Sequence, residues 1–144
     1  MAPPVRLAAG IDARTMIARI WTGATRTRDA AAYQEYMDRV AMPGYAEVAG
    51  NRMVLMLRRD RDDDRSEFTM ITLWEDLDAV RLFTGPETET AVFYPEDDRF
   101  LVERDRVARH HVVYGWHRSL LGWSRHQAEG AHPAGALSSE QLTA

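Results

Sequence analysis

The sequence predicts an α+β fold in which an antiparallel sheet carries helices on one face, with elements in the order β-α-β-β-α-β. Three observations lead there. Glu67–Thr84, EFTMITLWEDLDAVRLFT, changes period at its midpoint. Phe68, Met70, Thr72 and Trp74 alternate with Thr69, Ile71 and Leu73, and then Leu77, Val80 and Phe83 follow at helical spacing. The same alternation recurs in Met16–Thr22 and Arg52–Arg59, the second joined to the Phe68 strand by the charged hairpin loop Asp60–Arg65, DRDDDR. Finally, every strand is apolar on both faces, whereas helices in this order cover only one.

Taken in order, residues 1–15 hold a proline pair, Gly10 and small residues and predict a loose N-terminal arm. The first strand is Met16–Thr22, with Ile17, Arg19 and Trp21 on one face, and Gly23–Arg28 is a polar connection. Asp29 suits an N-cap, and helix follows to about Ala41, with Tyr33, Tyr36, Met37 and Val40 on one side. Met42-Pro43-Gly44 breaks that helix, and Gly50-Asn51 signals a turn into the second strand. After the third strand, Glu75, Asp76 and Asp78 place negative charge where a helix N-terminus favours it, and Gly85-Pro86 stops the helix. A short helical piece is expected over Thr88–Tyr94, then a rigid turn in YPEDDRF and a charged link, Leu101–Arg106. Val107–Gly115 is the last strand. Trp116, Leu120 and Trp123 suit a short amphipathic helix, and a frayed tail is expected from Gln127. The organisation is thus an arm at 1–15, an α+β domain at 16–115 and a C-terminal extension at 116–144.

This element order is the ferredoxin-like split βαβ arrangement. It leaves one apolar sheet face uncovered, more than a soluble monomer tolerates. Two sheets packed face to face remove the problem, so a homodimer is expected.

Composition narrows the function classes. With 144 residues, 45% hydrophobic and 28% charged, the chain suits one globular domain. There is no cysteine, which removes thiolate nucleophiles, thiolate ligands and disulfides. All eighteen basic residues are arginine, so lysine Schiff-base and P-loop chemistry are excluded as well. A net charge of −4 argues against nucleic acid. No apolar run suits a membrane span, and the first residues lack the apolar core of a signal peptide, so a cytoplasmic protein is expected.

Trp74 is the leading pocket residue, with a flat face for stacking and an indole N–H to donate. Phe68, Met70 and Thr72 share its face and would line the same cavity. Trp21, Tyr33, Tyr36, Phe93 and Tyr94 are further candidates that equally suit a core, and Arg58 at a strand end could hold an anionic oxygen. His110 and His111 are adjacent on a strand, so they face opposite ways and cannot both ligate one metal. No grouping of histidines and carboxylates has metal-ligand spacing, and Asp97-Asp98-Arg99 reads as a surface corner.

The passages MIARIW, GNRMVLMLRR, EFTMITLWEDLDAVRLF, AVFYPEDDRFL and HHVVYG, spanning roughly Met16–Gly115, together resemble the antibiotic biosynthesis monooxygenase-like family of dimeric α+β barrels. The resemblance implies a dimer with a pocket in each protomer between sheet and helices. Some members oxygenate polycyclic aromatic substrates without metal or organic cofactor, others degrade haem, and many have no known activity. The haem degraders share the strand-end tryptophan, here Trp74, but use a helical histidine and a first-strand asparagine. This chain has Phe93 and Tyr94 near the helical position, and MIARIWT lacks asparagine, which turns the reading away from haem. Tyr94, of a residue type that ligates haem iron in other folds, is the only such group there. The implied activity is therefore a cofactor-free monooxygenase acting on an aromatic or polyketide-like small molecule. In that reading His110 or His111 is the general base that deprotonates a phenol, so that the carbanion reduces oxygen directly. A non-redox binding or cyclase-like protein using the same apolar pocket, or a purely structural dimer module, remains open.

Overall fold

A computed structural model describes residues 15–117. The chain divides into two units, Met1–Tyr114 and Gly115–Ala144, and the fold below belongs to the first. The expected arm lies outside the described residues except for Thr15, as do Leu120, Trp123 and the tail from Gln127.

The strands are β1 (Ile17–Arg26), β2 (Asn51–Asp60), β3 (Arg65–Trp74), β4 (Leu101–Arg104) and β5 (Arg109–Val112). The helices are α1 (Ala30–Tyr36), α2 (Met42–Ala46), α3 (Leu77–Thr84) and α4 (Asp97–Phe100). The antiparallel sheet has the order β2-β3-β1-β4, and β5 also pairs with β1. Thus β4 lies against Gly23–Thr25 and β5 against Ile17–Ile20, so two short strands form the fourth column of a ferredoxin-like sheet. A bulge at Ala24/Thr25 accommodates β4. No helix among the described residues is long and apolar enough to cross a membrane.

Local chemistry explains most elements. In β3 every second residue from Ser66 to Trp74 is buried, as a sheet covered on one side requires. Asp76 caps α3, its side chain accepting from Ala79 N at 2.8 Å, and Gly85 ends the helix at φ 80°. The core lies between sheet and helices: Tyr33 packs on Phe68 and Phe100 with centroids 4.9 and 5.6 Å away. Full burial of Phe68 and Met70 contributes about 1.5–3 kcal/mol each.

The structure corrects four local expectations. β1 runs on to Arg26, because Gly23–Thr25 gains β4 as a partner and Thr27 N bonds Asp64 O at 3.0 Å. The first helix does not break at Met42-Pro43-Gly44. A 3-10 turn at Thr27–Asp29 leads into α1, a π turn occupies Met37–Ala41, and α2 continues to Ala46. Pro43 stands just after the π turn, in the first turn of α2, and the helix passes through it. The wider π turn rotates the apolar face by about one residue, so Ala41 and Tyr45 are buried while Val40 is 37% exposed. The expected helix at Thr88–Tyr94 is absent. Thr90 bridges Val107 instead, with Ala91 N donating to Arg106 O and Ala108 N to Glu89 O. Finally, the charged link is β4, and the last strand is shortened to β5.

By register the outer sheet face carries Ala18, Leu73 and Met53 in one row and Ile20, Ile71 and Leu55 in the next. Met53 and Leu57 are nearly half exposed.

Two glycines test this packing. Gly50 (φ 87°) brings the start of β2 against α3, where a β-carbon would sit 2.5 Å from Ala79 Cβ, whereas one on Gly85 meets nothing within 4 Å. Gly85→Ala should cost about 1–3 kcal/mol from backbone conformation alone. Gly50→Ala should cost that and roughly a further 1–3 kcal/mol from overpacking. Urea midpoints at constant m-value provide the comparison, and equal losses would refute the close approach.

Candidate functional site

The alternation of β3 sends Trp74, Thr72, Met70 and Phe68 inward, and all four are buried. Trp74 stacks on Phe83 of α3 at 5.5 Å and 29°. Phe83 meets Tyr45 of α2 at 4.6 Å, and Tyr45 meets Tyr94 at 6.2 Å. Gly44 admits the Tyr94 ring, since a β-carbon there would lie 3.1 Å from its hydroxyl. Tyr45 and Tyr94 are held as neutral phenols, chiefly by burial, which pushes Tyr94 up to about 12 and raises Tyr45 as well. The indole N–H expected for a ligand is engaged by Thr72 Oγ1 at 2.8 Å.

The polar centre of this wall is Arg19, beside Thr72 in the sheet and opposite His110 of β5. Only 4% exposed, its guanidinium lies 5.9 Å from the centre of the Phe83 ring. Nη1 donates to Thr88 O and meets His110 Nε2 at 2.9 Å, while Nη2 donates to Thr90 O at 2.9 Å. A guanidinium can only donate, so the Nε2 lone pair is the acceptor. Burial lowers Arg19 to about 10, which still leaves it cationic at neutral pH. Burial first, then Arg19 and His111, hold His110 down to about 4, a neutral imidazole. A base role for His110 therefore requires its contact with Arg19 to open.

The remaining expected residues are dispersed. His111 pairs with Ala18 on the outer face. Trp21 shares the inner face but donates its indole N–H to Asp105 O at 2.8 Å and meets Phe93 edge-on at 6.3 Å. Phe93 lies beneath the guanidinium groups of Arg104 and Arg106. Tyr33 and Tyr36 are core residues against Phe100, and the Tyr36 hydroxyl accepts from Glu96 N at 3.4 Å. Arg58 is drawn away from any inner site by Asp60, which accepts from both ends of its fork at 2.9 and 3.2 Å. Asp97 is not the surface residue its corner suggests. It is buried, one oxygen accepting from Tyr94 N at 2.6 Å and the other without a partner among the described residues.

Arg19, Tyr45 and Phe83 are the site residues that sequence reasoning leaves out, Phe83 being read only as part of the apolar stripe of its helix. Arg19 had a visible signal, a lone charge between Ile17 and Trp21 on an apolar stripe. Tyr45 had none, because it follows an apparent helix breaker. Among the described residues no group of three or more His, Cys, Asp or Glu is placed to hold a metal ion. Two surface clefts lie elsewhere: one of about 280 Å³ beside Arg61, Glu103 and Asp105, and one of about 250 Å³ beside Gly50, Glu75 and Leu82. In the first, Arg61 is paired with Asp63 at 2.7 Å and Glu103 at 2.9 Å.

The burial of His110 fixes a pH dependence. Between about 4 and 6.5 the unfolded chain binds a proton that the folded protein does not, so stability rises with pH across this window and is lost on acidification. The slope is at most about 1.4 kcal/mol per pH unit. The raised Asp97 gives the opposite sign but is common to any His110 variant. Thermal midpoints at pH 7 and 5 should show wild type losing more stability than His110→Gln; parallel losses would place the imidazole in solvent.

No protein-family model and no curated protein matches the chain. Among solved structures it is similar to a candidate antibiotic biosynthesis monooxygenase from Bacillus cereus, with 11% identity and a TM-score of 0.48 over 73% of this chain and 99% of that one. It is also similar to one from Chloroflexus aurantiacus J-10-fl, with 13% identity and a TM-score of 0.45 over 72% of this chain and 98% of that one. At these values no residue role is carried across.

Proposed function

We propose that this protein is a small, cofactor-independent monooxygenase of the cytoplasm that oxidises an aromatic or polyketide-like metabolite, acting as a homodimer. The single observation that carries the reading is the inner-face constellation, a neutral imidazole at His110 and a buried cation at Arg19 set against the aromatic wall of Trp74, Phe83, Tyr45 and Tyr94. The sequence resemblance supports the same reaction class. The aromatic wall receives a planar substrate. When an acidic hydroxyl approaches Arg19, the Nη1 hydrogen turns from His110 to the forming anion, and the released Nε2 takes the proton. The electron-rich carbon then reduces dioxygen. In net terms a ring methylene and O₂ become a carbonyl and water: one oxygen atom is retained, and the other leaves with both methylene hydrogens.

The dimer rests on the outer face, whose apolar rows around Ile71 and Leu73 need a cover. One observation favours a non-redox binding or cyclase-like role instead, namely that Arg19 already holds the lone pair of His110.

Purified protein with anthrone-like phenols should consume one O₂ per quinone formed and elute with the mass of two chains. His110→Ala should lower turnover by roughly 10²–10⁴-fold, while His111→Ala should retain it at unchanged secondary structure. Ligand binding without oxygen consumption across the panel would select the binding reading, and full activity in His110→Ala would remove the proposed base.

A further inference from the structure

Arg19 carries more than a packing role. All three of its acceptors are neutral, namely the carbonyls of Thr88 and Thr90 and the imidazole of His110, and among the described residues no carboxylate lies within ion-pair distance. A charge withdrawn from water without a counter-ion is unfavourable, and proteins generally pair buried cations. The Phe83 ring lies over its face, and the titratable group that acts on its charge is the Tyr45 phenol, not a carboxylate. Three of its five N–H groups are engaged, so Nε–H and one hydrogen of Nη2 have no acceptor among the described residues. Two such hydrogens suit an oxyanion, whose charge-assisted bonds to a guanidinium are roughly twice as strong as those of a neutral acceptor. Lastly, the roof over the guanidinium is the irregular connection from Gly85 to Glu96, which is attached through the Thr90–Val107 bridge and the bonds of Glu89 and Ala91. Arg19 itself and Tyr36 hold it as well, so a ligand reaches the guanidinium only when this connection shifts.

From this geometry we infer that Arg19 is the specificity-determining residue of the inner site, and that the site takes a planar aromatic ligand bearing an anionic oxygen, a carboxylate or an acidic enolate or phenolate, rather than a neutral aromatic. The inference rests on the oxygenase reading only in placing the ligand at the same site, since anion selectivity requires no turnover. The guanidinium supplies the counter-charge, the Phe83–Trp74 stack supplies the flat surface, and His110 lies next to the bound oxygen. Arg19 also tethers Thr88 and Thr90, so its removal alone does not separate recognition from structure. The choice of probes does.

The test uses the full chain and a matched pair, 2-naphthoate and neutral 2-naphthamide, titrated calorimetrically at pH 7. Wild type should bind the anion about tenfold to a hundredfold more tightly than the amide, as for a charged hydrogen-bonded contact. Arg19→Met should bring the ratio close to one. Arg19→Lys, which keeps the charge and loses the fork, should retain a reduced preference and serves if the methionine variant does not fold. Equal affinities in wild type, no binding of either probe at millimolar concentration, or an undiminished ratio in both variants would overturn the inference. Oxygen uptake on the same samples separates the two ideas. Selective binding without uptake leaves the anion site standing and removes the oxygenase, while turnover of neutral phenols without selectivity does the reverse.

Discussion

Ten consecutive antiparallel pairs between β1 and β3, from Ile17 opposite Trp74 to Arg26 opposite Arg65, decide what shares a face in this protein. Because side chains alternate with a period of two, a slip of one residue would carry Phe68, Met70, Thr72 and Trp74 outward and bring Thr69, Ile71 and Leu73 in. The register is held at the hairpin end. Arg61 N bonds Arg65 O at 2.8 Å, Asp64 turns the chain at φ 60°, and Thr27 N reaches Asp64 O at 3.0 Å. From that end the ladder delivers Arg19 beside Thr72, and β5 then adds His110 to the same row. The constellation at the far end of the sheet is therefore set by a turn roughly eight residues of strand away, about 27 Å along the chain.

The cation in that row shapes the fold around it. A guanidinium sealed beneath aromatic rings needs acceptors, and the nearest backbone provides them, so the connection after α3 bends until the carbonyls of Thr88 and Thr90 face Arg19. A helix over Thr88–Tyr94 would turn those carbonyls into its own hydrogen bonds. The irregular path of this segment is thus a consequence of one charged residue seventy positions earlier. Burial above all keeps His110 neutral, and the guanidinium beside it adds to this, because an imidazolium there would be a second like charge.

These long-range demands mark where sequence reasoning stops. The alternation of β3, the capped helix α3 with Asp76 before it and Gly85 after it, and the order of the elements all follow from neighbours close in the chain, and they were legible. So was the division of His110 and His111 between faces, which needs only a strand. The π turn was not, because nothing in Met37–Ala41 announces an extra residue; its effect is seen only in the exchange of Val40 for Ala41 in the core. The division of the last column into β4 and β5 depends on which parts of β1 remain open after β3 is paired, a tertiary fact. Of the aromatic wall, the inward face of Trp74 followed from the period of β3 and Tyr94 was a candidate, whereas the positions of Tyr45 and Phe83 beside them were not readable. Its polar centre left one trace, the lone charge of Arg19 between Ile17 and Trp21, but that this face would be sealed over it is a tertiary fact.

The two faces of this one-layer sheet are not independent. Ala18 and Ile20, the outer neighbours of Arg19 on β1, stand in rows with Leu73 and Ile71, directly behind the row that holds Thr72 and His110. Water on the outer face solvates the ladder from behind, and apolar cover would remove it. The effective dielectric around the guanidinium would then fall, and its attraction for an anionic oxygen would strengthen without any change in the inner side chains. β5 is the sensitive link, with only four residues and His110 and His111 consecutive within it. Any contact that orders His111 on the outside also fixes the backbone that aims His110 inward. The outer face and the polar centre of the inner face therefore meet in a single short strand.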